Sequence, residues 1–408
     1  MNERSRIHAL TGVPMSKDEN RDQKAFSRRD MLGVAAGAAA ALTLGSGMRE
    51  GAVARATEPD VPEGANVAIP KNRRALMAYS ARTMLMNDKS KYPTLPSGLR
   101  EVIEFAATVG YSGIEFFSFS GGPSFSQAAG AEGGASPSAK QVRAWLDAAG
   151  IKAIGHYNAS VANGGAIGLS PATIDAALES AAVLGQPQTG SHDATNVSQQ
   201  KDDVDKAIEV WNAMAVKAQR AGIPIYSHSH QIPWSFLLDS GQRDAKGYTR
   251  SSGIRVMDYF LKHTDAKWVK CEFDLFWAHV AQHQFRSYTN PDGATVEALF
   301  DPAKQVASDP SRYVILHAKD GIQAPKTPEG YVICPFGYGD LDVARFVRES
   351  KSDSSGAWWC SEQDNADGGD TDPQKALRDI ANGYRGLSTL GQPGGVGAPF
   401  NGAPRKTS

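Results

Sequence analysis

From about residue 71 onward, the chain alternates between two hydrophobic patterns. Short runs that are almost wholly apolar are typical of strands buried on both faces, and apolar residues three and four positions apart are typical of amphipathic helices. The short runs predict seven strands, at 75–80, 113–117, 152–156, 223–230, 268–274, 313–319 and 357–362. An eighth strand is expected between two helical segments at 186–192, although this stretch contains Pro187 and Gly190. The helical pattern predicts segments at 98–108, 138–149, 171–184, 202–221, 253–263, 342–349 and 373–390.

This alternation predicts a single α/β domain, a (β/α)8 TIM barrel of parallel strands. The alternative is an open doubly wound sheet, which would want a glycine-rich phosphate-binding loop after the first strand. The residues there are Ala81, Arg82 and Thr83, so the closed barrel is favoured. A stretch rich in Gly, Ser and Ala at 118–137 is expected to be a long loop and is a candidate lid.

The first 56 residues have the organisation of an export signal. Arg28 and Arg29 precede a weakly apolar run, and the residues at 54–56 resemble a cleavage site, which together indicate the twin-arginine type. The alternative is a chance Arg-Arg pair before an alanine-rich helix or membrane anchor. The run is short and low in Leu, Ile and Phe, so no stable membrane anchor is expected. We therefore expect a periplasmic or extracellular protein, with a removed signal at 1–56, a linker at 57–70, the barrel at 71–390 and a flexible tail at 391–408.

Composition narrows the classes of partner. The formal net charge of −1 and the 21% of charged residues lack the basic footprint of a nucleic-acid-binding protein, so no nucleic-acid partner is expected. The chain has three cysteines, an odd number, and Cys271 and Cys360 fall within predicted strands. Buried free thiols are therefore expected instead of a disulfide framework. Nothing in the sequence marks a subunit interface, and whether the chain forms a homo-oligomer stays open.

Four of the predicted strands end in a side chain that can bind a metal. His230, Asp274, His317 and Glu362 end strands five to eight, separated each time by roughly one strand, one helix and one loop. The carboxyl ends of the strands meet at one face of such a barrel. Imidazole and carboxylate groups together suit a divalent metal. The four residues therefore predict one bound ion, Mn, Zn, Co or Mg, although each acid could instead be a helix cap or an ion-pair partner.

The strand period of two places further polar groups beside these ligands. Lys319 shares a face with His317 and could stabilise an enolate oxygen or hold a substrate hydroxyl, its alternative being a structural ion pair with Asp320. Glu362 could also accept a proton from a carbon next to a carbonyl. Glu272 lies one layer deeper and is expected to be a supporting acid.

Other side chains complete the candidate site. By parity, Glu115 and His156 are expected to point into the barrel or its mouth, His156 as an acid/base group or as a hydrogen-bonded interior histidine. His228 could contact a substrate hydroxyl or pack inside the barrel. Trp277 could form an apolar wall against a sugar, and Asp364 could contact the substrate.

In their order and spacing, these motifs resemble the xylose isomerase-like barrel superfamily, and more closely its exported members called sugar phosphate isomerase/epimerase. The resemblance implies a Glu, an Asp, a His and a Glu from strands five to eight around one divalent ion. Asp274, His317 and Glu362 match the last three. The strand-five glutamate is absent, because 231–235 reads Gln-Ile-Pro-Trp-Ser, and His230 or Gln231 could take its place. The matching stretches are 110–116, 155–156, 226–230, 274–277, 317–320, 336–342 and 362–364.

The first functional hypothesis is a metal-dependent isomerase, epimerase or lyase that acts on a small carbohydrate with a carbonyl. A phosphorylated substrate is not expected, because export removes the protein from cytoplasmic sugar phosphates. The missing glutamate weakens a symmetric two-base epimerisation and makes elimination easier to accept. The alternatives are a non-catalytic sugar-binding or accessory protein with a degenerate metal site, and a metal-dependent hydrolase. The superfamily includes DNA-repair endonucleases, but the near-zero net charge argues against a DNA substrate.

Overall fold

A computed structural model describes most of the predicted barrel domain. The described residues are 69–85, 87–117, 137–158, 160–162, 165–167, 170–191, 198–244, 247–352 and 356–390. The predicted export signal, the predicted tail and residues 118–136 of the predicted lid lie outside this range. Within it, no helix combines the length and the apolar character that crossing a membrane requires.

Eight parallel strands form a barrel, as the sequence predicts. They are β1 (Arg74–Met77), β2 (Gly113–Phe117), β3 (Lys152–Asn158), β4 (Thr189–Ser191), β5 (Ile225–Ser229), β6 (Val269–Asp274), β7 (Tyr313–Gln323) and β8 (Trp358–Ser361). Each strand pairs with the next one along the chain, and β8 pairs with β1. This ring of pairings leaves no free edge. Interior side chains cover one face of the strands and the surrounding helices cover the other, so most strand residues are buried.

Apolar side chains fill the lower interior of the barrel and form the floor of the site. Tyr226 crosses this interior, and an added Cβ at Gly155 or Gly190 would lie 2.6 or 2.1 Å from its side chain. Those two glycines therefore allow β3 and β4 to approach the Tyr226 ring. All three cysteines are buried and free, as expected. The floor consists of Ala75, Met77, Ile154, Tyr226, Ile315, Trp358 and Cys360.

Amphipathic helices surround the barrel and cover the outer face of the strands. Ser138 caps α3 through a capping box with Gln141, and Gly110 ends α2 in the left-handed conformation. The described helices are α1 (Arg82–Leu85), α2 (Gly98–Val109), α3 (Ala139–Ala149), α4 (Ile174–Leu184), α5 (Lys201–Ala221), α6 (Val256–His263), α7 (Leu275–Gln284), α8 (Pro302–Ser308), α9 (Val343–Glu349) and α10 (Lys375–Thr389).

The structure differs from the sequence prediction in several elements. The end of the first predicted strand is a 3-10 helix, Ala78–Ala81. Helix α4 begins three residues later than predicted, at Ile174, because a turn precedes it. Helices α7 and α8 were not predicted. Helix α7 is apolar on most sides, with Leu275, Phe276, Ala278, Val280 and Ala281 all buried, so it lacks the one-sided pattern that marks an amphipathic helix.

Short antiparallel hairpins lie in the loops of the barrel. The hydrophobic pattern did not predict them. Strand β7 continues four residues beyond its predicted end and pairs there with Tyr331–Pro335. The separate hairpins join Ser160–Ala162 to Gly165–Ile167, Ser240–Asp244 to Gly247–Arg250, and Ser287–Thr289 to Thr295–Glu297.

The buried carboxylate of Asp320 organises the loop that follows the β7 hairpin. It accepts hydrogen bonds from the backbone N–H groups of Gly321, Gly337, Gly339 and Leu341 at 2.7, 3.1, 2.9 and 3.2 Å. Burial raises the pKa of Asp320 to about 6, and these four donors oppose that rise. Asp320 is thus a structural acid of the loop.

We expect Asp320→Asn to lower the free energy of unfolding by roughly 2–3 kcal/mol, because an amide NH2 would face N–H donors in a buried site. Urea denaturation followed by circular dichroism measures the change. The matched control is Asp239→Asn, whose carboxylate accepts from Ser252 at the solvent-exposed surface. An equal loss of stability in the two variants would contradict this role for Asp320.

Candidate metal centre

Strands β6, β7 and β8 bring three of the four predicted metal ligands together at the carboxyl end of the barrel. Asp274 is the last residue of β6 and lies opposite His317 in the register of β6 with β7. Glu362 directly follows β8, whose Ser361 lies opposite Ala318. All three ligand side chains are buried. The strand period therefore places them on one face, as the sequence predicts.

The three side chains converge on one point. The His317 Nδ1 atom lies 2.7 Å from Glu362 Oε2 and 3.6 Å from Asp274 Oδ2. One ligand atom from each residue fits within 4.8 Å of the others. We call Asp274, His317 and Glu362 the upper group.

The upper group has the properties of a metal-binding site. Asp274 Oδ2, His317 Nδ1 and Glu362 Oε2 are buried and lack a hydrogen bond of acceptable geometry within the described chain, although the ammonium of Lys319 lies 2.7 and 2.6 Å from the two oxygens. Buried polar atoms are normally hydrogen-bonded, so these atoms are arranged to receive a cation. One imidazole nitrogen and two carboxylate oxygens form a donor set that suits zinc, manganese or cobalt. The residues present therefore fit a divalent ion.

Two further carboxylates, those of Glu272 and Glu115, contact the His317 ring at Nε2, on the side away from Asp274 and Glu362. The Nε2 atom of His317 lies 2.8 Å from Glu272 Oε1 and 3.0 Å from Glu115 Oε2. Glu272 also lies 2.5 Å from Nδ1 of His228, and Glu115 accepts a hydrogen bond from the Tyr226 hydroxyl. The expected supporting role of Glu272 and the interior position of Glu115 both match this arrangement.

Burial and neighbouring charges together set the pKa values of these groups. Burial, aided by the nearby Glu272, raises the pKa of Glu115 to about 8. Burial alone would lower the pKa of His317, but Glu272 and Glu362 outweigh it and hold that pKa well above its ordinary value. Burial and the neighbouring His317 lower the pKa of His228 to about 3. The low pKa keeps the His228 imidazole neutral, whereas the carboxylates around His317 favour its protonated form.

Lys319 extends into the upper group. Its Nζ atom lies 2.7 Å from Asp274 Oδ2, 2.6 Å from Glu362 Oε2, and 3.0 and 3.2 Å from the two carboxylate oxygens of Asp364. The structural alternative, a Lys319–Asp320 ion pair, is wrong, because Asp320 binds backbone N–H groups instead. Burial would lower the pKa of Lys319, but the three carboxylates hold it well above its ordinary value.

A line of rings leads from the centre towards the mouth of the barrel. The His228 ring centroid lies 4.9 Å from that of His317 and 4.7 Å from that of His230, and His230 lies 4.8 Å from Trp277. Among the described residues, the groups whose ligand atoms converge do not include His230. Its role as a ligand stays a prediction. The buried Nε1 of Trp277 has no hydrogen-bond partner in the described chain and can donate to a bound molecule.

His156 does not face the interior that its parity predicts. Ile114 pairs with Ala153 and Glu115 pairs with Gly155, so Ile154 is an extra residue in β3. Ile154 and Gly155 both face the interior floor, and His156 then falls beside Phe116 of the outer core. A β-bulge thus reverses the alternation of faces. Burial lowers the pKa of His156 to about 4, and we assign this residue no role in the chemistry proposed below.

Arg82 is a contributor that the sequence analysis did not identify. Its guanidinium donates to the backbone oxygen of Asp364 at 2.7 Å and lies 4.4 Å from the centroid of the Tyr79 ring. It therefore fixes the loop that carries Asp364 against the start of α1. Arg82 could have been identified from its position just after the first strand, because the carboxyl ends of barrel strands carry site residues.

Comparisons with known proteins give the following likenesses. The family model for the xylose isomerase-like TIM barrel matches residues 103–382. No curated protein matches this chain. A sugar phosphate isomerase/epimerase from Parabacteroides distasonis ATCC 8503 is 17% identical with a TM-score of 0.52, over 78% of this chain and 96% of its own.

Two other solved structures have the same fold at lower identity. The IolI protein with a bound zinc atom is 12% identical with a TM-score of 0.50, over 78% of this chain and 96% of its own. A xylose isomerase domain protein from Alicyclobacillus acidocaldarius subsp. acidocaldarius is 13% identical with a TM-score of 0.50, over 78% and 98%. At these identities the likeness extends to the fold alone.

We expect Tyr226→Phe to lower the free energy of unfolding by about 2 kcal/mol, because it removes a buried hydrogen bond to the Glu115 carboxyl. The matched control is Tyr313→Phe, whose buried hydroxyl accepts from the neutral amide of Gln305 at 3.1 Å. Chemical denaturation of both variants checks the difference. If the control loses as much stability as Tyr226→Phe, the Glu115 contact has no special weight.

Proposed function

Because this chain belongs to the xylose isomerase-like TIM barrel family, we propose that it is a divalent-metal-dependent isomerase, epimerase or lyase of a non-phosphorylated carbohydrate with a carbonyl. The observation that carries this proposal is the convergence of Asp274, His317 and Glu362, whose buried ligand atoms lie within 4.8 Å of one another. Two proteins of the same fold support it, one called a sugar phosphate isomerase/epimerase and the other containing zinc.

In this proposal Asp274, His317 and Glu362 hold the ion, and His230 is the candidate fourth ligand. A bound divalent ion supplies Lewis-acid polarisation of a carbonyl and of a neighbouring hydroxyl. Glu272 and Glu115 orient the His317 ring from its Nε2 side, as carboxylates do behind metal-bound histidines.

The remaining polar groups act on the substrate. Glu362 takes the proton from the carbon next to the carbonyl. The ammonium of Lys319 stabilises the oxygen that becomes negative, and Asp364 fixes the position of that ammonium. Trp277 and His228 line the approach, where Trp277 provides an apolar face and an indole N–H for a sugar ring.

The charge of the site favours an uncharged sugar. The three negative charges of Asp274, Glu362 and Asp364 are only balanced by the Lys319 ammonium and one divalent ion, so no surplus positive charge is left to hold a phosphate dianion. The export signal proposed for residues 1–56 agrees with this choice, because it would take the protein away from cytoplasmic sugar phosphates.

Elimination needs fewer groups than epimerisation. A two-base epimerisation requires a second acid on the opposite side of the reacting carbon, and the stretch where relatives carry it reads Gln-Ile-Pro-Trp-Ser at 231–235. This favours a lyase or a one-sided proton transfer. The absence of this second acid also supports the second candidate function, a sugar-binding or accessory protein. Metal content and proton exchange distinguish the two.

We expect the purified protein to contain about one Mn, Zn or Co ion per chain, and the His317→Ala, Glu362→Gln double variant to contain none, because two of three ligands are gone. Elemental analysis measures the content. His263→Ala is the matched control, since His263 is exposed and its Nδ1 contacts only the Tyr259 carbonyl. A wild-type chain that neither contains nor takes up metal would remove the proposed mechanism.

We expect Glu362→Gln to slow exchange of the proton next to the carbonyl by about 100-fold or more, because it removes the base. Nuclear magnetic resonance follows deuterium incorporation from D2O over a panel of non-phosphorylated aldoses and keto-sugars. His263→Ala serves again as the control. Undiminished exchange in Glu362→Gln would assign the base to another residue, and binding without exchange in wild type would favour the sugar-binding alternative.

A further inference from the structure

The ammonium of Lys319 occupies the coordination position of the upper group. Its Nζ atom lies on Asp274 Oδ2 and Glu362 Oε2, at 2.7 and 2.6 Å. These are the same two oxygen atoms that approach Nδ1 of His317. Lys319 is fully buried, so its charge has no contact with water to compensate it.

The position of Lys319 in β7, two residues after His317, allows its ammonium to reach the upper group. His317 and Lys319 lie on one face of β7, with Cα atoms separated by roughly 6.6 Å along the strand. The long lysine stem folds back from that distance to reach the level of the imidazole ligand. Without the ammonium, the two buried carboxylates would have only the His317 imidazole between them as a partner, which is unfavourable for two like charges.

A divalent ion and this ammonium exclude one another. Two cations that both contact Asp274 Oδ2 and Glu362 Oε2 would lie within about 4 Å of each other, where like charges in a buried site repel strongly. The carboxylate of Asp364 offers the ammonium an alternative position, because both of its oxygens already lie within 3.2 Å of Nζ. Arg82 holds the backbone of Asp364 in place for that exchange.

We propose that Lys319 is a tethered cation that neutralises the upper group until a divalent ion enters, and that it then moves fully onto Asp364. This inference rests on the metal site proposed above and adds a mechanism for its loading. The entering ion displaces the ammonium and leaves it beside the substrate position, so only the loaded protein presents it to a reacting oxygen. Ions that bind carboxylates weakly do not displace it.

The test measures Mn²⁺ affinity by isothermal titration calorimetry on the full chain after removal of metal with a chelator. We expect Lys319→Met to bind Mn²⁺ about tenfold or more tightly than wild type, because the competing charge is gone. We expect Asp364→Asn to bind about tenfold more weakly, because the displaced ammonium loses its second carboxylate. The double variant should match Lys319→Met, since Asp364 acts through the ammonium.

Lys217→Met is the matched control, because Lys217 pairs with Asp175 on the protein surface and should leave the affinity unchanged. If wild type binds Mn²⁺ and Lys319→Met binds no more tightly, the tethered cation is overturned while the metal site stands. If neither binds Mn²⁺, both proposals are overturned. Binding by Lys319→Met alone would overturn the displacement, because the ion would then never replace the ammonium in the wild-type chain. Lys319→Gln replaces the Met variant if that variant does not fold.

Discussion

Both nitrogens of the His317 imidazole face carboxylates, and the geometry of the site depends on this double engagement. Nε2 lies between Glu272 and Glu115, while Nδ1 points towards Glu362 and Asp274. A ring held from below cannot rotate without losing those contacts. The upper group is therefore shaped by Glu272 and Glu115, which contact only the far side of its imidazole ring, and supporting groups orient metal-binding histidines in this way.

Much of the barrel could be predicted because its strands carry a strong, simple signal. Most strands are buried on both faces, so they appear as short runs rich in apolar residues, whereas β4 (Thr189–Ser191) lacks such a run. Once the strands are placed, the polar residues that end them must lie at the carboxyl face of the barrel. The convergence of Asp274, His317 and Glu362 follows from the period of two and from the closure of the ring.

The parts of the fold and site that could not be predicted depend on features that a hydrophobic pattern does not contain. The bulge at Ile154 adds one residue to β3, and every residue after it changes face, which is why His156 lies outside. Helix α7 is buried on too many sides to show a helical period. The partners of Lys319 are set by three-dimensional reach, because Asp274 and Asp364 are distant in sequence while Asp320 is adjacent.

The two oxygens of Asp274 have separate tasks. Oδ1 accepts the N–H of Trp277 at 3.0 Å and caps α7, so only Oδ2 is left for the barrel interior. This carboxylate is thereby limited to monodentate coordination. Calcium prefers six to eight oxygens and readily takes both atoms of a carboxylate, whereas zinc and manganese accept one from each side chain. The cap on α7 thus favours zinc or manganese over calcium at the candidate site.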